Sequence, residues 1–507
     1  MRPHVISSSG KDFMKNIRLK SVAIATTALA TTLFTACVQA EDTGTAETWL
    51  EEGARVVAEK VAEPVNTTRA KNVILFVGDG MGISTLTAGR ILEGQMQGKS
   101  GEENYLSFER FPYTALVKTY NVDAQVPDSA GTASALNTGS KTRIGVINTA
   151  PTQPNGQCVG AMETALTPLA HYAEKIGMAT GIVSTARLTH ATPAAVYAHS
   201  PSRGWENDGE LPEEAVANGC RDIAQQMLDP IGGNGLEVAL GGGRRNFQPE
   251  GTGKGRRKDG RDLTQEWLAS DIGAAYVENE QSLAQVDIAN TSRLLGLFDN
   301  SHMQFEAQRG DEQPDLAEMT EVAIKMLQKN DGGYYLMVEA GRIDHGHHGG
   351  SAKAALYDTV ALSKAVRKAM EMVDLDETMI LVTADHSHVF TMAGYPKRGN
   401  PIFGLVTGPG ETEPTLAKDG KPYTTLAYQN GPGAVQGERK HLTEEDIAAP
   451  DFRPQALVPT SSETHGGEDV GLFAIGPRAH IVRGTIEQNV IFHIMDYALD
   501  LRKRASE

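Results

Sequence analysis

Three of the chain's fourteen histidines stand within four residues of one another, in the stretch VEAGRIDHGHHGG at 338–350. Glu339 and Asp344 share that stretch with His345, His347 and His348. Asp344 and His348 are four apart, so on a helical turn both side chains point the same way. A carboxylate and an imidazole on one face are donors that suit zinc. The bland alternative is a polar loop with solvated histidines, and the density of the cluster argues against it. VTADHSHVF supplies Asp385, His386 and His388, and SSETHGGEDVG adds His465 in a glycine-flanked turn. NVILFVGDGMG sets Asp79 among Gly78, Gly80 and Gly82. Those glycines suggest a dinucleotide-binding turn, but the G-x-G-x-x-G spacing fails and Asp79 would repel a pyrophosphate. A carboxylate on a tight turn with room around it suits a cation instead. Together these donors can fill two zinc-like sites and one harder, oxygen-rich site of the magnesium kind.

A metal cluster needs a group to act on its substrate. In VPDSAGTASALNTG, Ser129 opens a run of small, helix-compatible residues. A hydroxyl at a helix N-terminus lies in positive potential that favours both an alkoxide and a bound phosphate. Asp-Ser before a helix is also an ordinary capping arrangement, and this segment alone does not separate the two. LTHATPAAVYAHSPSRGWEND offers Thr192, a neutral oxygen, and Arg203, whose planar fork matches two phosphate oxygens. Taken alone, an arginine in a loop reads as a surface residue.

The elements that must position these groups alternate. Residues 73–77, 181–184, 236–240, 334–338 and 379–383 are continuous apolar runs, the pattern of buried parallel strands. Helical spacing fills the intervals, most clearly at 316–328. That alternation predicts an α/β fold around a largely parallel sheet. Asp79, Glu339 with Asp344, and Asp385 with His386 each follow one of those strands, at the sheet edge where open α/β folds bind ligands. Residues 391–463 are rich in glycine and proline and read as an insertion.

Residues 1–40 carry Lys11, Lys15, Arg18 and Lys20 ahead of an apolar run at 22–36, which describes a secretory signal peptide. The run is short of the roughly 20 residues that span a bilayer, so no integral membrane span is expected. LFTAC, ending at Cys37, loosely matches a lipoprotein cleavage box, which leaves a lipid anchor as the alternative to a freely periplasmic or secreted protein. The net charge of the chain is −17; loss of 1–40 removes five basic residues and one acidic residue and leaves −21. So acidic a chain has no global field for nucleic acid. The basic cluster at 244–261 lies among glycines and reads as a solvated loop. Past Cys37 only Cys158 and Cys220 remain, which in an exported protein predicts one disulfide.

Six motifs occur in order: VGDGMG, PDSAGTAS, THATPA with Arg203 downstream, VEAGRIDHGHH, TADHSH and ETHGGEDV. On these the sequence resembles the alkaline phosphatases from about Asn72 to the C-terminus, and the animal-type branch in particular. The resemblance implies a three-layer α/β/α sandwich: one catalytic domain over 41–507, with 391–463 as a crown-like insertion. It implies hydrolysis of phosphate monoesters through a phosphoserine at Ser129, with Arg203 clamping the phosphate. Asp344, His348 and His465 would hold one zinc, and Asp79, Asp385 and His386 a second beside Ser129. Asp79 would bridge to a magnesium completed by Thr192 and Glu339. His190 and His345 would lie just behind these ligands. Asp299 and Asp315 fall where animal-type members hold calcium, but the differing 244–261 loop leaves that set incomplete. A homodimer is expected on the same ground. The rival readings are a phosphodiesterase or sulfatase of the same superfamily, and a metal- or phosphate-binding protein without turnover.

Overall fold

The structure is a computed structural model that describes residues 45–507; the expected signal peptide and Cys37 lie outside the described residues. Two compact units divide the chain, the second being Glu63–Glu507. The described part of the first contains the helix Ala46–Ala62, whose residues all remain accessible.

The second unit is built on a ten-stranded sheet. In chain order its strands are β1 (Asn72–Gly78), β2 (Tyr113–Lys118), β3 (Ala179–Arg187), β4 (Val238–Gly242), β5 (Ala274–Val277), β6 (Arg293–Leu297), β7 (Tyr334–Ala340) and β8 (Thr378–Ala384). Four short strands of other sheets follow: β9 (Ser387–His388), β10 (Phe390–Met392), β11 (Leu426–Gly431) and β12 (Ala456–Pro459). After β13 (His465–Gly466), also outside the large sheet, β14 (Val470–Ile475) and β15 (Gly484–Glu487) complete it. The order across the sheet is β15-β2-β14-β8-β1-β7-β3-β4-β6-β5. From β8 to β5 every pairing is parallel, while β14 is antiparallel to both its neighbours.

Burial explains the centre. Every residue of β1, β7 and β8 is buried, because helices cover both faces. Helices Ile83–Met96, Leu316–Leu327 and Ala352–Met372 pack together on one side; Ser129–Thr138, Leu169–Lys175 and Val490–Leu499 pack on the other. Gly89 permits the first of these contacts: a Cβ there would stand 2.7 Å from Thr359 Cγ2 of the facing helix. The 316–327 helix starts where its sequence says it should. Asp315 accepts from Glu318 N and Glu318 accepts from Asp315 N, a reciprocal cap.

The glycine- and proline-rich segment carries its own sheet, β10-β11-β12, separate from the large one. Cys158 and Cys220 are disulfide-bonded, in a small cluster with Trp205 and Ala215. In the basic loop Lys254, Arg256 and Lys258 are exposed as expected, but Arg257 departs from the solvated reading. Arg257 is fully buried, with its two Nη atoms 3.0 and 3.1 Å from the oxygens of Asp222, and Arg261 pairs with Glu266 at 2.6 Å. Asp222, 35 residues away in sequence, and the local Asp259 neutralise Arg257. Among the described residues no helix is long and apolar enough to cross a membrane.

Candidate active site

The carboxyl ends of β1, β3, β7 and β8 converge on one cluster. β1 delivers Asp79, fully buried, on a turn whose next residue, Gly80, has φ +72°. A Cβ on Gly80 would lie 2.4 Å from the His388 ring and 3.2 Å from Asp344 Cα, so only glycine lets this turn enter the cluster. Its N–H donates to Asp385 Oδ1 at 2.9 Å. β7 ends in Glu339 and leads into the short helix Arg342–His348, which puts Asp344 and His348 on one face. β8 leads to Asp385 and His386. His465 arrives from over a hundred residues beyond His348 because β13 pairs antiparallel with β9, setting His465 opposite His388 and Gly466 opposite Ser387.

Imidazole tautomers show what the first group of side chains is arranged for. His348 Nδ1 lies 2.6 Å from the Glu463 carbonyl, and His465 Nδ1 lies 2.7 Å from the Pro127 carbonyl. A carbonyl only accepts, so both Nδ1 atoms carry the proton and both Nε2 atoms keep a lone pair. Those Nε2 atoms stand 3.1 Å apart, and 3.2 and 3.3 Å from Asp344 Oδ1. Two lone pairs and an anion this close repel unless a cation lies between them. The second group repeats the pattern. His386 Nε2 is 3.2 Å from Asp385 Oδ2, 3.4 Å from Asp79 Oδ1 and 3.1 Å from Ser129 Oγ.

A third set is all oxygen. Both carboxylate oxygens of Asp79, Oε1 of Glu339 and Oγ1 of Thr192 are buried without a hydrogen-bond partner among the described residues. The other oxygen of Glu339 accepts from Ser184 Oγ. Unpaired buried acceptors are costly, and a hard cation satisfies such a set.

The electrostatics agree. Burial, then Asp385, Asp344 and Glu339, hold the Asp79 carboxyl well above its usual range. Burial likewise raises Asp385 and pushes Glu339 up to about 7. Burial is the largest single influence on Asp344, but the neighbouring imidazoles of His388, His465 and His348 together outweigh it and hold that carboxyl well below the usual range. Positive charge is what the centre lacks.

Ser129 is 2% exposed and is the first residue of the helix Ser129–Thr138. Asp128 does cap that helix, accepting from Gly131 N at 3.1 Å. Its other oxygen accepts from Arg203 Nη1 at 3.0 Å and from Gly145 N at 3.0 Å. The capping reading and the functional one therefore coexist: the cap is what aims Arg203 past Ser129. Arg203 Nη2 donates to His190 Nε2 at 3.2 Å. His345 and His190 adjoin each other behind the ligands, their ring centroids 5.4 Å apart.

The structure thus brings Asp79, Ser129, Thr192, Arg203, Glu339, Asp344, His348, Asp385, His386 and His465 together, with His190 and His345 beside them. Asp299 and Asp315 are occupied elsewhere: Asp299 accepts from Gln313 Nε2 at 2.8 Å, and Asp315 caps its helix. Sequence reasoning misses the part of two residues, Asp128 and Glu463, and the role of a third, His388, which it offers only as a possible donor. As a cap alone, Asp128 has no evident tie to Arg203. His388 donates to Asp344 Oδ1 at 2.8 Å and, through its other nitrogen, to Glu463. Glu463 stands two residues before His465 in a stretch that had drawn attention for its histidine alone.

Fold and site together define a metallohydrolase in which candidate metal-binding groups crowd the carboxyl edge of a helix-covered sheet. The comparisons make this specific. The family described as alkaline phosphatase matches residues 70–501. The tissue-nonspecific alkaline phosphatase of Gallus gallus is 45% identical over 469 residues, covering 89% of each chain; that of Homo sapiens is 43% identical over 452 residues, covering 86% of this chain and 85% of its own. Among solved structures, the Thermus thermophilus alkaline phosphatase shares 26% identity and a TM-score of 0.63 over 87% of this chain and 93% of its own. The enzyme from the Antarctic bacterium TAB5, at 22% identity and a TM-score of 0.57 over 86% and 99%, shares the fold. The chain belongs to the alkaline phosphatase family and hydrolyses phosphate monoesters.

Proposed function

We propose that hydrolysis proceeds through a phosphoserine at Ser129, in a centre of two zinc ions and one magnesium. Asp344, His348 and His465 would hold one zinc, Asp79, Asp385 and His386 the other, and Asp79, Thr192 and Glu339 the magnesium. The donor chemistry supports this division: two carboxylate–imidazole sets suit zinc, and an all-oxygen set suits magnesium. When bound, the ions supply the positive charge that acidifies a hydroxyl and stabilises developing negative charge. Arg203, held by Asp128, binds two oxygens of the substrate phosphate and orients phosphorus toward Ser129. Ser129 Oγ attacks, forming the seryl phosphate ester as the alcohol leaves; water then cleaves that ester and restores the serine.

One observation carries the reading: Ser129 Oγ stands 3.1 Å from His386 Nε2, at the start of a helix whose cap also holds Arg203. Acid quench with a labelled monoester, followed by peptide mapping, tests it. Label should appear on Ser129 and be absent from Ser129→Ala, which should keep its metals and lose several orders of magnitude in turnover. Label on another residue refutes the assignment. A diester and a sulfate ester, assayed beside the monoester with and without chelator, distinguish the superfamily rivals. The disulfide supports an extracellular or periplasmic setting. Exposed Leu50, Val57 and Val61 on the helix Ala46–Ala62 support a contact with a second copy in a homodimer.

A further inference from the structure

We propose that His190, His302 and His345 form an additional transition-metal site, separate from the three sets above, for a zinc- or copper-class divalent cation. The three imidazoles come from three places. His190 follows β3, His302 follows β6, and His345 sits in the helix after β7. Ligand nitrogens of the three lie within 4.8 Å of one another. Their ring centroids are 4.0 Å apart for His302 and His345, 5.1 Å for His190 and His302, and 5.4 Å for His190 and His345.

Ring packing alone accounts poorly for the cluster. The Nδ1 atoms of His190 and His345 are buried without a hydrogen-bond partner among the described residues, a costly arrangement for polar atoms out of water. His302 has the opposite mismatch. Arg187 directs its backbone N–H at His302 Nδ1, 3.3 Å away, and Nη1 at His302 Nε2. A neutral imidazole accepts at one nitrogen only, so one of these donors is surplus. The guanidinium does not bar a cation, because Glu206 neutralises it through contacts of 2.6 and 2.7 Å. When the ion takes a His302 nitrogen from Nη1, Arg187 keeps Glu206 and reaches Ser301 Oγ at 3.4 Å. Three imidazoles without a carboxylate favour zinc, nickel or copper over magnesium, and leave the coordination sphere open to water. The site also touches the phosphate arm. An ion on His190 Nδ1 moves the ring proton to Nε2, which then no longer accepts from Arg203.

The test titrates holoenzyme, loaded with zinc and magnesium, with Cu²⁺, following nitrogen hyperfine structure by electron paramagnetic resonance and counting all metals. We expect one Cu²⁺ per chain with a three-nitrogen signature and no release of zinc or magnesium. His302→Ala should weaken that uptake at least tenfold and remove one nitrogen from the signature. His302→Gln, which preserves more of the packing around Arg187, should do the same. Retained zinc and magnesium show that each variant is folded. The absence of a tight Cu²⁺ equivalent, uptake matched by loss of zinc or magnesium, or uptake unchanged in both variants overturns the site. None of these readings depends on phosphatase activity.

Discussion

Replacing Glu463 with glutamine should loosen the proposed first zinc site without touching any residue proposed as its ligand. Glu463 acts at two levels. Its carbonyl fixes the His348 tautomer, which the substitution preserves. Its carboxylate accepts from Val389 N at 2.9 Å and from His388 Nδ1, and His388 in turn donates to Asp344 Oδ1 at 2.8 Å. Burial pulls the His388 imidazole down, but Asp344 and Glu463 outweigh it and raise the group from 6.5 to about 9. That net shift corresponds to roughly 3 kcal/mol, the amount by which the two carboxylates together exceed the cost of burial. Losing one of them removes roughly 1–2 kcal/mol, or about tenfold. Groups that orient metal ligands typically contribute 10–100-fold to affinity, which agrees. In Glu463→Gln the imidazolium loses its second anchor, and Asp344 is left to bind a cation from a less fixed position. Chelator competition, with zinc release followed at pH 7.5, should show one of the two zinc ions leaving about ten times more readily. Affinity within twofold of the parent, while His348→Ala releases that zinc, refutes the argument.

His465→Ala should release the same zinc far more completely, because Asp344 and His348 alone leave the ion short of ligands; unchanged zinc content in the purified variant removes His465 from the site. The metal-free protein should lose thermal stability as pH rises from about 7.5 to 9. This lies above the range in which His171, His190, His199, His302, His345, His347, His348 and His386, kept neutral by burial, make stability rise with pH. In that window the unfolded carboxyls have already lost their protons and unfolded histidine has lost most of its own. Folded Glu174 (about 8) and His388 (about 9) enter it still protonated and Glu339 and Asp358 (each about 7) partly so, so the folded state binds more protons and stability falls with pH. Metal loading should flatten the slope by keeping Glu339 ionised in both states, and an apo-protein melting temperature that rises across the window contradicts this. Cys220→Ser should destabilise the fold by about 4 kcal/mol on the chain-entropy model, given the 62-residue separation, and denaturant titration measures it.

Much of the sheet was legible because buried parallel strands leave continuous apolar runs. β1, β3, β4, β7 and β8 all lie at the expected places, within two residues at the start of β3 and β4. The remaining strands left weaker marks. β2 is only partly buried and alternates, and β5 is four residues of mostly half-buried chain. β14 opens with Val-Gly and runs against its neighbours, which no local pattern announces. The side chains that cluster at the site, here proposed as ligands, were legible because each follows a strand or sits in a dense motif. Their supports were not. Asp128 and Arg203 are 75 residues apart, as are His388 and Glu463, and only folding reveals such pairs. Arg257 shows the converse error, since a charge run says nothing of distant acids.

The clasp between β9 and β13 has a consequence for how this chain tolerates change. The long excursion between them leaves and returns through two paired residues, with Val389 N also donating to Thr464 O at 3.3 Å. Its end-to-end distance is therefore set by the chemistry it brackets, whatever happens along its length. Doubling a flexible loop costs only about 0.6 kcal/mol of closure entropy. Material added or removed away from the anchoring Tyr428, whose hydroxyl meets His347 Nδ1 at 2.9 Å, should leave His465 in register. The clasp makes this segment a docking port at which new surface can be grafted while the metals stay where they are.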